Sequence, residues 1–139
     1  MPDTARDALA RVDLFAGLSP RQLKKLAEVS KETSHKAGSE VAAEGRGAMA
    51  FHAIVDGAAT VTVGGRQVRT LGPGDYFGEI SLIDGEPRSA TVTATGDAPL
   101  RTIAIAKGPF SALIESEPTI AKALLVRLCG RLRAVEASR

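Results

Sequence analysis

A mainly β domain flanked by α-helices is predicted by three observations. Apolar residues recur at helical spacing near both ends of the 139 residues. From about Ser34 to Lys107 the period drops to two, as in half-buried strands. Gly-, Pro- and Asp-containing turns punctuate that middle stretch at short intervals.

Residues Thr4 to Val12 can form a short helix with Asp3 or Thr4 as N-cap, and Asp13-Leu14-Phe15-Ala16-Gly17-Leu18 breaks it. Ser19-Pro20-Arg21-Gln22 is a strong second start, with Ser at the N-cap, Pro at the first helical position and Gln placed for a capping box. Leu23, Leu26, Ala27 and Ser30 then share one stripe, which leaves Lys24-Lys25 as a solvated face. In the middle, Val41, Ala43, Phe51, Ala53, Val55, Val61, Val63, Val68, Thr70, Thr91, Val92, Ile103 and Ile105 sit in short alternating segments. Turns are expected at Gly45-Arg46-Gly47, Asp56-Gly57, Gly64-Gly65, Pro73-Gly74, Asp84-Gly85 and Gly96-Asp97. Asp56-Gly57 and Gly64-Gly65 suit tight hairpins, and Pro73-Gly74 suits a type II turn. Many short strands at this spacing indicate an antiparallel barrel or jelly roll. After Ala106 a short helix over Pro109 to Glu115 and a longer one from Glu117-Pro118 to about Val135 follow. One domain is expected over residues 1–139, with N-terminal helices over 4–33, the roll over 34–107 and C-terminal helices over 109–136.

Composition narrows the function. Nothing approaches the roughly eighteen apolar residues of a membrane span. No signal segment opens the sequence, and the one cysteine, Cys129, cannot form an internal disulfide, so a reducing cytoplasm is the expected location. Net charge is +2 with scattered basic residues, a poor footprint for nucleic acid. His35 and His52 are the only histidines and lie far apart in sequence, so no metal-holding cluster is expected and each reads as a surface or strand-packing residue. No Gly-x-x-x-x-Gly-Lys-Ser/Thr loop is present, and no histidine neighbours Ser81 to activate it, so no catalytic residue is expected. Cys129 reads as a small core residue of an apolar helix face, the alternative being a redox sensor.

Phe77-Gly78-Glu79-Ile80-Ser81-Leu82 and Pro87-Arg88-Ser89-Ala90-Thr91-Val92 carry the chemistry. Gly78 allows close backbone approach to a ligand, and Glu79 to Leu82 can start a helical turn whose free N–H groups favour a phosphate. Arg88 can clamp the same oxygens with two charge-assisted bonds. Glu79 would repel a phosphate and instead suits a hydroxyl donor such as a ribose 2′-OH. The pocket reads as a site for a sugar phosphate of low charge.

These two linked motifs resemble the phosphate-binding cassette of cyclic nucleotide-binding domains, and the resemblance runs from about Leu14 to the last helix. It implies an eight-stranded antiparallel β-roll with terminal helices, and cAMP or cGMP as ligand without any further cofactor or metal. It also implies Glu79 on the ribose 2′-OH and Arg88 on the cyclic phosphate. Gly78, Ile80, Ser81 and Ala90 would add backbone contacts, and Ser89 a hydroxyl. In the family a Thr directly after the cassette Arg often accompanies cGMP preference. Ser89 has the hydroxyl without the methyl, which leans to cAMP. Val61 and Val68 resemble residues that flank the purine, though both also fit plain strand packing. Arg131 resembles in position a base-contacting Arg of bacterial channel domains.

The expected function is a cAMP-preferring sensor that moves its terminal helices on binding and performs no catalysis. The alternatives are a ligand-independent interaction domain, or the effector-binding part of a transcription regulator whose DNA-reading helices lie elsewhere. The downstream partner is not legible. In the last helix Ala121, Leu125, Leu128, Leu132 and Val135 follow a four-three-four-three spacing. That stripe could pair two chains over 121–135, or dock on the roll as a lid, with Ile120, Leu124 and Arg131 on the neighbouring face.

Overall fold

The structure, a computed structural model, describes residues 4–42, 50–78 and 90–138. Helices α1 (Thr4–Ala10) and α2 (Pro20–Glu28) come first, joined through a 3-10 turn at Asp13–Phe15. Eight strands follow: β1 (Ser30–His35), β2 (Glu40–Ala42), β3 (Ala50–Asp56), β4 (Ala58–Val63), β5 (Arg66–Leu71), β6 (Tyr76–Phe77), β7 (Thr91–Thr95) and β8 (Leu100–Ala106). Helices α3 (Lys107–Ser116) and α4 (Pro118–Ala137) close the chain. The strands form two four-stranded antiparallel sheets, ordered β1-β8-β3-β6 and β2-β7-β4-β5, which is the eight-stranded roll expected.

The capping box at the start of α2 is present in full. Gln22 N–H donates to Ser19 Oγ at 3.2 Å, and Ser19 N–H donates to Gln22 Oε1 at 2.8 Å. Of the two expected N-caps, Asp3 lies outside the described residues, and Thr4 is the first residue of α1. Gly64 and Gly65 both have positive φ between β4 and β5, as a tight hairpin requires. Asp75 N–H closes the Pro73-Gly74 turn on Gly72 O at 3.0 Å. Ala43 and the turns at 45–47 and 84–85 lie outside the described residues.

Four expectations need correction. The change from helix to strand falls at Ser30 rather than 34, because β1 is the polar segment Ser-Lys-Glu-Thr-Ser-His and shows no apolar alternation. It pairs with β8 over its whole length, Ser30 opposite Ile105 and His35 opposite Leu100. Asp56-Gly57 closes no hairpin, since β3 and β4 belong to different sheets. Lys25 is half-buried and ion-paired to Glu117, whose carboxyl the Lys25 hydrogen bond holds below the usual carboxylate range. Cys129 is exposed rather than packed in the core.

Two apolar clusters flank one wall of the roll. Strand β3 is buried on both faces: Phe51 and Ala53 join the helix-side cluster, while Ile54 joins the interior of the roll. On the helix side Phe51 meets Phe15 with ring centroids 5.2 Å apart, beside Leu26, Phe110, Ile120 and Leu124. Among the described residues the roll interior includes Val61, Leu71, Phe77, Val92 and Leu100.

Gly57 sits at the corner where the chain passes from one sheet to the other, with φ 91°. A Cβ there would lie 2.6 Å from Pro99 O and 3.0 Å from Leu100 Cα, in the segment that makes the reverse crossing from β7 to β8. Both obstacles are backbone, so nothing can move aside cheaply. Gly57→Ala should therefore lower stability by at least about 2 kcal/mol, through left-handed strain and the clash together. That corresponds to a fall in Tm of roughly 5 °C or more by calorimetry. Gly72→Ala, which meets nothing within 4 Å, should stay within about 0.5 kcal/mol of the parent.

Candidate functional site

The two ends of the cassette stretch are held by opposite sheets. Phe77 ends β6, which pairs with β3 through His52–Phe77 and Ala53–Tyr76. Gly78 follows with φ 95°, a conformation that a side chain would disfavour. Ala90 is half-buried against the roll interior and leads into β7, which pairs with β2 and β4. Glu79, Ile80, Ser81, Arg88 and Ser89 lie outside the described residues.

Residues Tyr76 and Phe77 point to opposite sides of the wall. Phe77 is buried in the roll interior and stacks on the His52 imidazole, ring centroids 4.8 Å apart and 14° from parallel. Tyr76 packs on the helix side, its ring 5.8 Å from that of Phe51. Arg131 of α4 reaches it: the guanidinium lies 5.8 Å above the Tyr76 ring, and Nη1 donates to the phenol oxygen at 3.2 Å. The terminal helix is thus tied to the strand that feeds Gly78. Beneath this contact lies a cavity of about 240 Å³ lined by Asp13, Arg69, Leu71, Asp75, Tyr76 and Arg131. Two of its acids are engaged, Asp75 Oδ2 accepting from Gly72 N–H at 2.8 Å and Asp13 paired with Arg127.

The structure separates the two valines expected to flank a base. Val61 is buried at 6% exposure in the roll interior, opposite Val92 on β7. Val68 is 52% exposed, at a register shift where Val61 faces Arg69 and Thr62 faces Gln67. That shift leaves Val68 as the extra residue of a β-bulge.

Two faces of α4 also separate. Ile120 and Leu124 are buried, Leu128 packs against the same cluster, and Arg131 continues that line to Tyr76. Leu125, Leu132 and Val135 are 59%, 59% and 55% exposed. The docking stripe is therefore the neighbouring face, and most of the four-three repeat faces outward. Leu128 belongs to both. The expectation that one stripe must serve either as seam or as lid is replaced by two stripes side by side.

Sequence reasoning missed Tyr76 as the seat of Arg131 and His52 as the seat of Phe77. The only available signal was position: Tyr76-Phe77 immediately precedes Gly78, and Tyr76 is the only tyrosine. Among the described residues no group of three His, Cys, Asp or Glu side chains could hold a metal ion. No helix among them is long and apolar enough to cross a membrane.

A family model described as the cyclic nucleotide-binding domain matches residues 32–117. A cGMP-dependent protein kinase of Toxoplasma gondii is 38% identical over 89 residues, covering 64% of this chain and 9% of its own. The cAMP-dependent protein kinase regulatory subunit of Mycosarcoma maydis is 35% identical over 113 residues, covering 76% of this chain and 22% of its own. The chain thus spans less than a quarter of the length of either relative. Among solved structures, the N-terminal domain of a transcriptional regulator from Streptomyces coelicolor A3(2) superposes with a TM-score of 0.81 at 27% identity. That match covers 95% of this chain and 94% of the other. The fold, the cassette sequence and a family match over more than half its length establish that this chain belongs to the cyclic nucleotide-binding domain family.

Proposed function

We propose that the chain is a regulatory sensor that binds a cyclic nucleotide, prefers cAMP, and performs no catalysis of its own. The contact of Arg131 with Tyr76 carries the reading, because it joins the terminal helix to the strand leading into the cassette. Arg88 would hold the cyclic phosphate, together with backbone N–H groups at Gly78, Ile80, Ser81 and Ala90 and the Ser89 hydroxyl. Glu79 would accept from the ribose 2′-OH, and Val61 would meet the base, with Val68 at the rim. Arg131 would leave the tyrosine or share it in order to stack on the purine. Occupancy would then shift the population of α4 between docked and released arrangements. Ser89 supports cAMP over cGMP, though named relatives include kinases dependent on either nucleotide. The likeness to the first domain of a transcriptional regulator supports an effector-sensing role in a larger assembly equally well.

The outward stripe of α4 supports a second element of the proposal, a homodimer through residues 121–135. Leu125, Leu132 and Val135 repeat at coiled-coil spacing and are all more than half exposed. The seam is about two heptads long, and Gly130 weakens the helix by roughly 1 kcal/mol relative to Ala, so pairing would be modest.

Calorimetric titration with cAMP and cGMP side by side tests the ligand assignment; cAMP should bind more tightly, and tighter cGMP would reverse the preference. Arg88→Ala should weaken cAMP at least about tenfold, the value of a charge-assisted bond of roughly 1.5–3 kcal/mol. Unchanged affinity would remove the cassette assignment. The penalty for 2′-deoxy-cAMP should shrink in Glu79→Ala, because the hydroxyl's partner is already gone.

For the lid, Arg131→Ala should weaken cAMP roughly two- to thirtyfold, as loss of a cation–π contact of about 0.5–2 kcal/mol predicts. Hydrogen exchange in the second half of α4 should rise while the strands stay protected. For the seam, sedimentation should show a dimer that Leu132→Asp dissociates. Leu132 is the better probe than Leu128, which also packs on the body.

A further inference from the structure

The outward side of α4 carries a pattern that the homodimer reading does not use. Successive helical residues turn by about 100°, so Lys122, Leu125, Cys129, Leu132 and Glu136 fall within an arc of about 80°. All five are exposed, Leu125 and Leu132 at 59% each. Counted outward from Cys129, the stripe meets a leucine about one turn away in either direction. Seven residues away it meets a charge, Lys122 toward the N-terminus and Glu136 toward the C-terminus. Among the described residues neither Lys122 nor Glu136 has an ion-pair partner. The stripe is therefore symmetric in its apolar groups and opposite in its charges about one residue.

Two such helices can lie side by side in either direction, and the charges separate the two cases. Parallel packing at equal height sets Lys122 against Lys122 and Glu136 against Glu136, a like-charge contact at each end. Antiparallel packing about a two-fold axis at Cys129 sets Lys122 against Glu136 of the second copy. An isologous contact repeats itself, so this ion pair forms twice. The same axis sets Leu125 against Leu132 of the second copy and brings the two Cys129 side chains together. On the flank next to the docked face, Val135 comes opposite Ala121 of the second copy, which covers a side chain that is 55% exposed. Ile120 and Leu124 stay in the helix-side cluster, so this pairing asks for no undocking of α4.

We infer that the occupant of this stripe is a second copy of the chain running antiparallel, centred on Cys129, with Lys122 and Glu136 as reciprocal ion pairs. The arrangement rests on the proposed homodimer and adds its direction; it does not depend on nucleotide binding. Exposed ion pairs contribute little singly. Their main effect here is selective, because the alternative direction brings like charges together at both ends of the contact.

Sedimentation of the whole chain at low salt tests the direction. Lys122→Glu or Glu136→Lys alone should weaken the dimer roughly five- to thirtyfold, because two ion pairs become two like-charge contacts. The double variant Lys122→Glu/Glu136→Lys should restore it, and high salt should erase the differences. In a parallel dimer each single variant would only exchange one like-charge contact for another. Cross-linking gives a second measurement that captures even weak association. In a Cys129→Ala background, chains carrying Leu125→Cys and chains carrying Leu132→Cys are mixed and treated with diamide, which takes up the two protons and two electrons of disulfide formation. The mixed disulfide should form, and neither variant should join to itself. Disulfides within each variant alone, or single charge variants that associate like the parent, would overturn the antiparallel direction while leaving the homodimer standing. A chain that stays monomeric at every concentration, with no cross-link in any mixture, would overturn the homodimer and its direction together.

Discussion

The double burial of β3 is the constraint on which the rest depends. A strand covered on both faces must satisfy two cores at once, so its side chains alternate between them without alternating in polarity. Phe51 and Ala53 give the helices something to dock on, and His52 and Ile54 line the roll. Its partner β8 behaves alike, with Ile103 and Ile105 outward and Leu100 and Thr102 inward. Moving this pair by one residue would exchange every one of those contacts. Because β6 is hydrogen-bonded to β3, the position of Gly78 is inherited from the same wall.

The helices at the two ends of the chain are cross-linked by polar contacts around this apolar seat. Gln22, already committed to the α2 cap, donates its side-chain amide to Thr119 at 2.7 Å. Lys25 pairs with Glu117 between α3 and α4, and Arg127 pairs with Asp13 in the 3-10 turn. Each is exposed or half-exposed and weak alone. Their common effect is orientational: α4 cannot swing without disturbing the N-terminal helices. Any displacement of α4 would therefore be shared by both ends of the chain.

The sequence revealed most of this fold, and its failures have physical causes. The alternation of β4 and β7 was plain because one face of each meets the roll interior and the other is open. Strand β1 was invisible because its inward positions are Thr33 and His35, which are satisfied by hydrogen bonds rather than by apolar contact. The alternation read at Phe51, Ala53 and Val55 follows only the helix side of β3, since Ile54 on the other face is buried as well, and two residues are too few for β6 to have a period. The corner at Gly57 looked like a hairpin because a glycine turn is the same locally whether the next strand joins the same sheet or the other. The cassette is contiguous, so Gly78, Glu79 and Arg88 could be nominated without a fold, and of these only Gly78 is among the described residues. Arg131 could be named by position, but its seat on Tyr76 depends on a contact across more than fifty residues, which no local pattern encodes. The terminal helix was half legible: most of the four-three repeat faces outward, and the adjacent stripe docks, with Ile120 and Leu124 in the same buried cluster as Phe110 and Phe15.

The bulge at Val68 has a consequence away from any ligand. Among the described residues β5 is the outermost strand of its sheet, with an unpaired row of backbone groups along one side. Such a rim invites another chain to add a strand and begin aggregation. Here the rim carries exposed Arg66 and Arg69, and the extra residue between Gln67 and Arg69 throws the ladder out of step. An approaching strand would meet like charges and a broken register together. The same local irregularity that turns Val68 toward solvent also helps keep this sheet finite.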